Sequence, residues 1–483
     1  MTRSLNFESD IFDKMIDRTL FYSPKIEIRP VHLANGFFRA ICGKYAKAEY
    51  QQMAIYPKEY PKMDINEQVR GVLNTILSAD GAVYRQAHTS SYTLSRVSHI
   101  TRDNHDRRTG EWLLAILAHN DGEGPSPALQ LLRELLTQDN RRRSDEISVL
   151  TLPLFTPDNS SLEDFKPQFP DQTPSSLEVD VSGFFSDPLL YSIRKGFDKL
   201  AAHDQEIGKY GGKLDMLRRM VVWGCFAIYL HLANSGREER NKRLPLLLQM
   251  TDKSNTTLEE ASIQSYQWMG RSIDSFLRKM VSTAIEILVQ EGTYGSWETD
   301  ADVMQHISDM NWQAGGHIRK KEEKLLQLTE RCLYFYASYL SDTANLSPST
   351  AFANAVTDLI DQILSSSPRD VAGALATRIG LLPSSRRQKY YTPMPDLLEV
   401  LVRASVPPGQ QWTINELAAY WADNYGLLFG ALGNENDTLA NWGISLVNGS
   451  ELYENINALA DILEMSGYAR RYADGVVLVS VRE

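Results

Sequence analysis

The chain has 483 residues, 43% of them hydrophobic and 23% charged, and a formal net charge of -11 at pH 7. That length implies about two or three domains, and the composition excludes a disordered chain. The charge excludes a protein that wraps nucleic acid with its whole surface, because affinity for phosphate comes from cations displacing counterions.

The opening MTRSLNFESDIFDKM has charges where a secretory signal needs an apolar core, which argues against export. Cys42, Cys225 and Cys332 stand far apart without a CxxC pair, so neither a disulfide framework nor a zinc ribbon is expected and a reducing cytoplasm fits. The domain expected over 1–155 is mixed but mainly helical. In NEQVRGVLNTILSADG, Val69, Val72, Leu73 and Ile76 share one helical face that stops at Gly81. TGEWLLAILAHNDG and PALQLLRELLTQ predict a helix pair joined by the Gly and Pro of DGEGPSP. SVLTLPLF, at 148–155, reads as a strand. Residues 156–181 have four prolines and no apolar face, so they read as a linker or surface loop.

A helical central domain is expected over 182–375. Its apolar run MVVWGCFAIYLHLA has 14 residues, short of the roughly 20 that cross a bilayer, and reads as a buried core helix. RLPLLLQM is either a buried strand or a short helix, and the amphipathic stretch that starts at Leu258 is one long helix or two. In KEEKLLQLTERCLYFYASYLSD, Leu325, Leu328, Cys332, Phe335, Tyr336 and Tyr339 form one stripe, which is the pattern of a core face.

The last unit, 376–483, gives the order helix, short strand, helix, helix, hairpin, which is that of a winged helix. MPDLLEVLVRASV is the first helix and WTI the short strand. Thr413 and Glu416 make a capping box for the second helix. Ser450 caps the third, which stops at Gly467, and Asp474-Gly475 turns the hairpin. Residues 427–447 read as an insertion. The fold class expected is therefore mainly α and multidomain, with helical N-terminal and central domains and a C-terminal winged-helix (α+β) domain.

A helix that reads the major groove needs Arg, Lys, Asn or Gln on its outer face. The third helix instead carries Glu451, Glu454, Asp461 and Glu464 and no cation, so it is a candidate partner-binding surface. Cations flank it. Arg386, Arg387 and Lys389, beside Tyr390, lead into the unit, and Arg470 and Arg471 lie on the first wing strand. Basic residues interleaved with aromatics hold phosphates while stacking bases, which makes these six the nucleic-acid candidates. An arginine-rich domain edge has the same composition.

Sequence motifs for chemistry are sparse. GKYGGK lacks the P-loop spacing and its magnesium hydroxyl, and no HExxH, GxSxG or kinase set occurs. Pro157, Asp158, Asp164 and Lys166 imitate the carboxylate and lysine elements of Mg²⁺-dependent nucleases, but on a proline-flanked polar stretch. Asp103, His105, His119, Asp121 and Glu123 fall near opposite ends of one predicted helix, about 15 Å apart, too far for a single metal site. No catalytic residue, metal or cofactor is assigned.

RRQKYYTPMPDLLEVLV, NYGLLFG and NALADILEMSGYARRYADGVVLV together resemble the C-terminal region of accessory subunits of multigene bacterial phage-defence systems, specifically the G-type subunit of phosphorothioation-dependent DNA restriction. The resemblance implies DNA-related defence beside an ATPase or helicase subunit. Taken with the acidic third helix and its flanking cations, the expected function is that of a non-catalytic adaptor of a cytoplasmic DNA-targeting complex, with the winged helix for protein contact, non-specific DNA contact left open and no membrane. A Mg²⁺-dependent nuclease subunit and a kleisin-like architectural subunit of an SMC-type complex are the alternatives.

Overall fold

The computed structural model describes residues 4–12, 28–41, 109–119, 124, 126–137, 187–207, 213–239, 241–292, 294–312, 322–342, 346–363, 368–384 and 388–481. Among these the chain is mainly helical, with fourteen α-helices and two small sheets. The helix expected at 66–81, the strand at 148–155 and the linker at 156–181 lie outside the described residues.

Helices α1 (Pro30–Ile41), α2 (Thr109–Ala118) and α3 (Pro127–Thr137) precede two longer ones, α4 (Pro188–Ile207) and α5 (Lys213–Asn234). Strand β1 (Leu246–Leu247) follows, then α6 (Thr257–Glu291), α7 (Asp300–Ser308), α8 (Glu322–Asp342), α9 (Pro348–Ile363) and α10 (Pro368–Arg378). The last part comprises α11 (Pro395–Arg403), β2 (Gln411–Thr413), α12 (Ile414–Tyr425), β3 (Leu427–Leu428), α13 (Glu435–Asn441), α14 (Gly449–Met465), β4 (Ala469–Arg471) and β5 (Val477–Ser480).

α5 is the hub. Being apolar nearly all round, it must be enclosed rather than laid on a surface, and it packs against α1, α4, α6, α10 and α11. Its stretch Asp215–Asn234 is long and apolar enough to cross a membrane, but 78% of the apolar window is buried inside the protein. α6 is one helix of 35 residues, about 50 Å long. Thr256 caps its start by accepting from the Glu259 N–H, and Gly292, at φ 62°, ends it in the left-handed region that glycine enters without strain. On α8, Leu328, Cys332 and Tyr336 are buried while Phe335 and Tyr339 are half-buried, so the aromatic stripe serves the core.

Two sheets join distant parts of the chain. β1 pairs in parallel with β3, Leu246 against Leu427 and Leu247 against Leu428. RLPLLLQM is thus a buried strand, and 427–447 supplies its partner. A bridge from Leu248 to Tyr391 extends the contact. The second sheet is antiparallel in the order β2-β5-β4, with Trp412 and Ala469 both opposite Val479. One hydrophobic cluster runs from Leu5 to Val481, and the boundary expected at 375 falls inside α10.

Local signals set several ends. The Thr413–Glu416 box is formed on both sides. Asn448 rather than Ser450 caps α14: its side chain accepts from the Ser450 N–H, because the helix begins two residues earlier than a Ser450 cap implies, at Gly449. The hairpin closes through a Tyr472 N–H to Val476 O bond of 2.9 Å, with Gly475 at φ 83°, a three-residue loop whose last position needs glycine.

Candidate functional site

α14 carries the four acidic candidates, and its first turns are docked on the body of the protein. Asn455 is completely buried there. Its Oδ1 accepts from the Met250 N–H at 2.6 Å, and its Nδ2 donates to Leu248 O at 2.8 Å and to Phe429 O at 3.1 Å. One amide therefore satisfies backbone groups just beyond both strands of the parallel pair, where an unpaired polar group would be costly. Sequence periodicity gave no sign of this role. Asn455 lies between Leu452 and Leu459 on the inward side, and only the position of a polar residue there, at a core register, points to it.

The carboxylates around Asn455 have partners in the chain. Glu451 accepts from Thr257 Oγ1 at 2.7 Å and from the Leu258 N–H at 2.9 Å, placing negative charge at the amino end of α6 where the helix dipole favours it. Glu454 pairs with Lys253 at 2.5 Å. Asp461 pairs with Arg471 at 2.6 Å, and Glu464 accepts a long 3.5 Å contact from the Arg471 N–H. The anionic surface expected from the sequence is therefore largely neutralised from within, by Lys253, Arg471 and the start of α6. On the outer side of α14, Tyr453 is 67% exposed and Met465 80% exposed, with Glu464 also facing solvent.

Four of the six nucleic-acid candidates lie among the described residues, and Lys389, Tyr390 and Arg471 of these are engaged or buried within the chain. Arg386 and Arg387 lie outside the described residues. The Lys389 ammonium donates to the Pro383 carbonyl, and Tyr390 is buried at 7% exposure, so its ring offers no face for stacking a base. Tyr390 and its neighbour are core residues because the lead-in is threaded against β1. Tyr391 is fully buried, its N–H donates to Ser262 Oγ at 3.0 Å, and its hydroxyl lies 2.7 Å from that of Tyr229. Burial pushes both phenols up, so the pair stays neutral. On the wing, Arg471 is engaged with Asp461, whereas Arg470 is exposed and sits 5.2 Å from the Tyr472 ring.

Among the described residues no group of three or more His, Cys, Asp or Glu side chains could hold a metal ion. Pro157, Asp158, Asp164 and Lys166, and Asp103, His105, Asp121 and Glu123, lie outside them. His119 lends its carbonyl to Arg194 at 2.7 Å, a contact that joins the end of α2 to α4. Cys225 and Cys332 are buried, and burial pushes both thiols up, away from the reactive thiolate. No family model, curated protein or solved structure matches the chain.

Proposed function

We propose that the chain is a non-catalytic adaptor of a multi-subunit, cytoplasmic DNA-processing assembly, and that its last unit is a winged helix used for protein contact rather than for reading bases. The order α11, β2, α12, α14, β4, β5 and the strand order β2-β5-β4 support the winged-helix reading. The observation that carries the functional reading is the docking of α14. A recognition helix meets the major groove with residues near its amino end, and here that end is held on the body through Glu451, Glu454 and Asn455. The outer side, with Tyr453, Glu464 and Met465, mixes apolar and acidic groups on a helix that has no Lys or Arg of its own, which suits a protein partner better than a groove of phosphates. The phage-defence setting and the ATPase or helicase partner rest on the resemblance described above.

The test is purification of the tagged chain from its host after exhaustive nuclease treatment, followed by mass spectrometry. A stoichiometric ATPase or helicase subunit should co-purify, and Tyr453→Asp together with Met465→Asp should release it while the circular dichroism stays unchanged. A chain that purifies alone sinks the adaptor reading, and a partner that the double variant still captures sinks this surface.

A further inference from the structure

A second exposed face lies on α6, where the segment after α13 crosses it. Gln264, Trp268 and Arg271 stand at i, i+4 and i+7, and so share one stripe. Trp442, just past α13, meets Trp268 edge to face, with ring centres 5.5 Å apart and an interplanar angle of 81°. Both indoles are half-buried, so part of each stays open. The Arg271 guanidinium lies 4.8 Å from the centre of the Trp268 ring, and Arg271 is exposed.

Hydrogen bonds fix this face in advance. The Ser445 N–H donates to Gln264 Oε1 at 2.7 Å, and Gln264 Nε2 donates to Ser445 Oγ at 2.8 Å. Asn436, on α13, exchanges two bonds of 2.9 Å with the Val447 backbone. Leu446, between those anchors, is 59% exposed. Rings held in place beforehand lose little freedom when something packs on them.

Arg271 differs from other arginines of the surface. Arg218, Arg278 and Arg471 face Asp396, Asp358 and Asp461 respectively, whereas no ion pair among the described residues includes Arg271. Its ring contact supplies no oxygen for the guanidinium N–H groups, which are arranged to take a carboxylate or a phosphate in a bidentate pair. The surroundings choose between the two. A nucleic-acid strand needs a row of cations, and this stripe carries one. Glu260 and Asp437, exposed on the flanking turns, and Asp274, one turn beyond Arg271, repel a chain of phosphates. A single carboxylate beside an apolar side chain meets far less of that repulsion and also uses the indoles.

We infer that this face docks an extended peptide of a partner protein. One Asp or Glu of the peptide pairs with Arg271, and an apolar residue one or two positions away packs into the angle between Trp268 and Trp442. The surface is additional to the outer side of α14, and the inference does not depend on the adaptor reading.

Random peptides displayed on phage and selected on the full chain test it, with fluorescence anisotropy of the selected peptides as the measurement. The selected sequences should share an acid one or two positions from an aromatic, aliphatic or proline residue, and replacing that acid by its amide should weaken binding about tenfold. Arg271→Gln should weaken the acidic peptide about tenfold and bind acid and amide forms alike, while Arg271→Lys keeps part of the preference. Trp442→Ala should weaken both forms and preserve the preference. Arg271 is exposed, so its variants are expected to fold, which thermal melting checks. No selected peptide, selected peptides without a shared acid, or a folded Arg271→Gln chain that still prefers the acid overturns the inference. Labelled oligothymidylate that binds the chain and is released by Arg271→Gln overturns it in favour of phosphate. Peptides that bind while nothing co-purifies separate this surface from the proposed function.

Discussion

Replacing Asn455 by alanine removes three hydrogen bonds at a position with no exposure. The loss leaves the Met250 N–H and the carbonyls of Leu248 and Phe429 without the partner that satisfied them. At about 1 kcal/mol per bond, with a further share for the small cavity, the cost is about 3 to 4 kcal/mol. Asn457→Ala is the internal control: two residues further on the same helix, the Asn457 side chain donates to Tyr453 O within its own helix, and its loss should cost under about 0.5 kcal/mol. Urea unfolding gives the stability difference, and amide exchange at 246–250 and 427–429 locates it, since those backbones should open first in the Asn455 variant. A cost below about 1 kcal/mol, or exchange that accelerates elsewhere instead, refutes the claim that this amide joins α14 to the strand pair.

Other perturbations follow from particular contacts. Gly426 sits at φ 74°, and a Cβ there would lie 2.3 Å from Leu244 O, so Gly426→Ala should cost at least about 2 kcal/mol by thermal denaturation. Glu451→Gln removes a charge from the start of α6 and should cost about 1 kcal/mol, measured by urea titration, with the loss shrinking in high salt. His203, 3% exposed and 2.8 Å from Val406 O, is pushed down to about 4, chiefly by burial. Burial likewise pushes His231 down. The unfolded chain then binds more protons than the folded one between about pH 6.5 and 4, so stability falls as the pH drops through that window. After allowance for solvent screening the His203 share is about 2 kcal/mol at the lower end, and His203→Gln should flatten the wild-type curve by that amount in melts taken across the window.

Interactions that close within a few residues could be read directly from the chain. The Thr413–Glu416 box, the helix pair either side of DGEGPSP, the stripe on α8 and the glycine of the wing loop all depend on neighbours along the backbone, and they stand where the pattern put them. Asn448 took the cap from Ser450 because a two-residue shift in helix start leaves the local composition almost unchanged. Most of the candidate site was not legible in this way. Whether Glu454 faces solvent as a free charge or meets Lys253, and whether Tyr390 stacks on a ligand or fills the core, depends on segments far away in sequence.

Sequence by itself determined the helical class, the core role of MVVWGCFAIYLHLA and, after 394, the order helix, strand, helix, helix, hairpin without β3 and α13, because periodicity and capping are local energies. Tertiary structure decided that RLPLLLQM is a strand, since a strand needs a partner and its partner is β3. It also decided that the acidic helix is held inward through Asn455, and that Trp442 joins Trp268 and Arg271 on one face of α6. Charge and aromatic character are written residue by residue, but their effect depends on what stands within a few ångströms, and that neighbourhood exists only after the chain has folded.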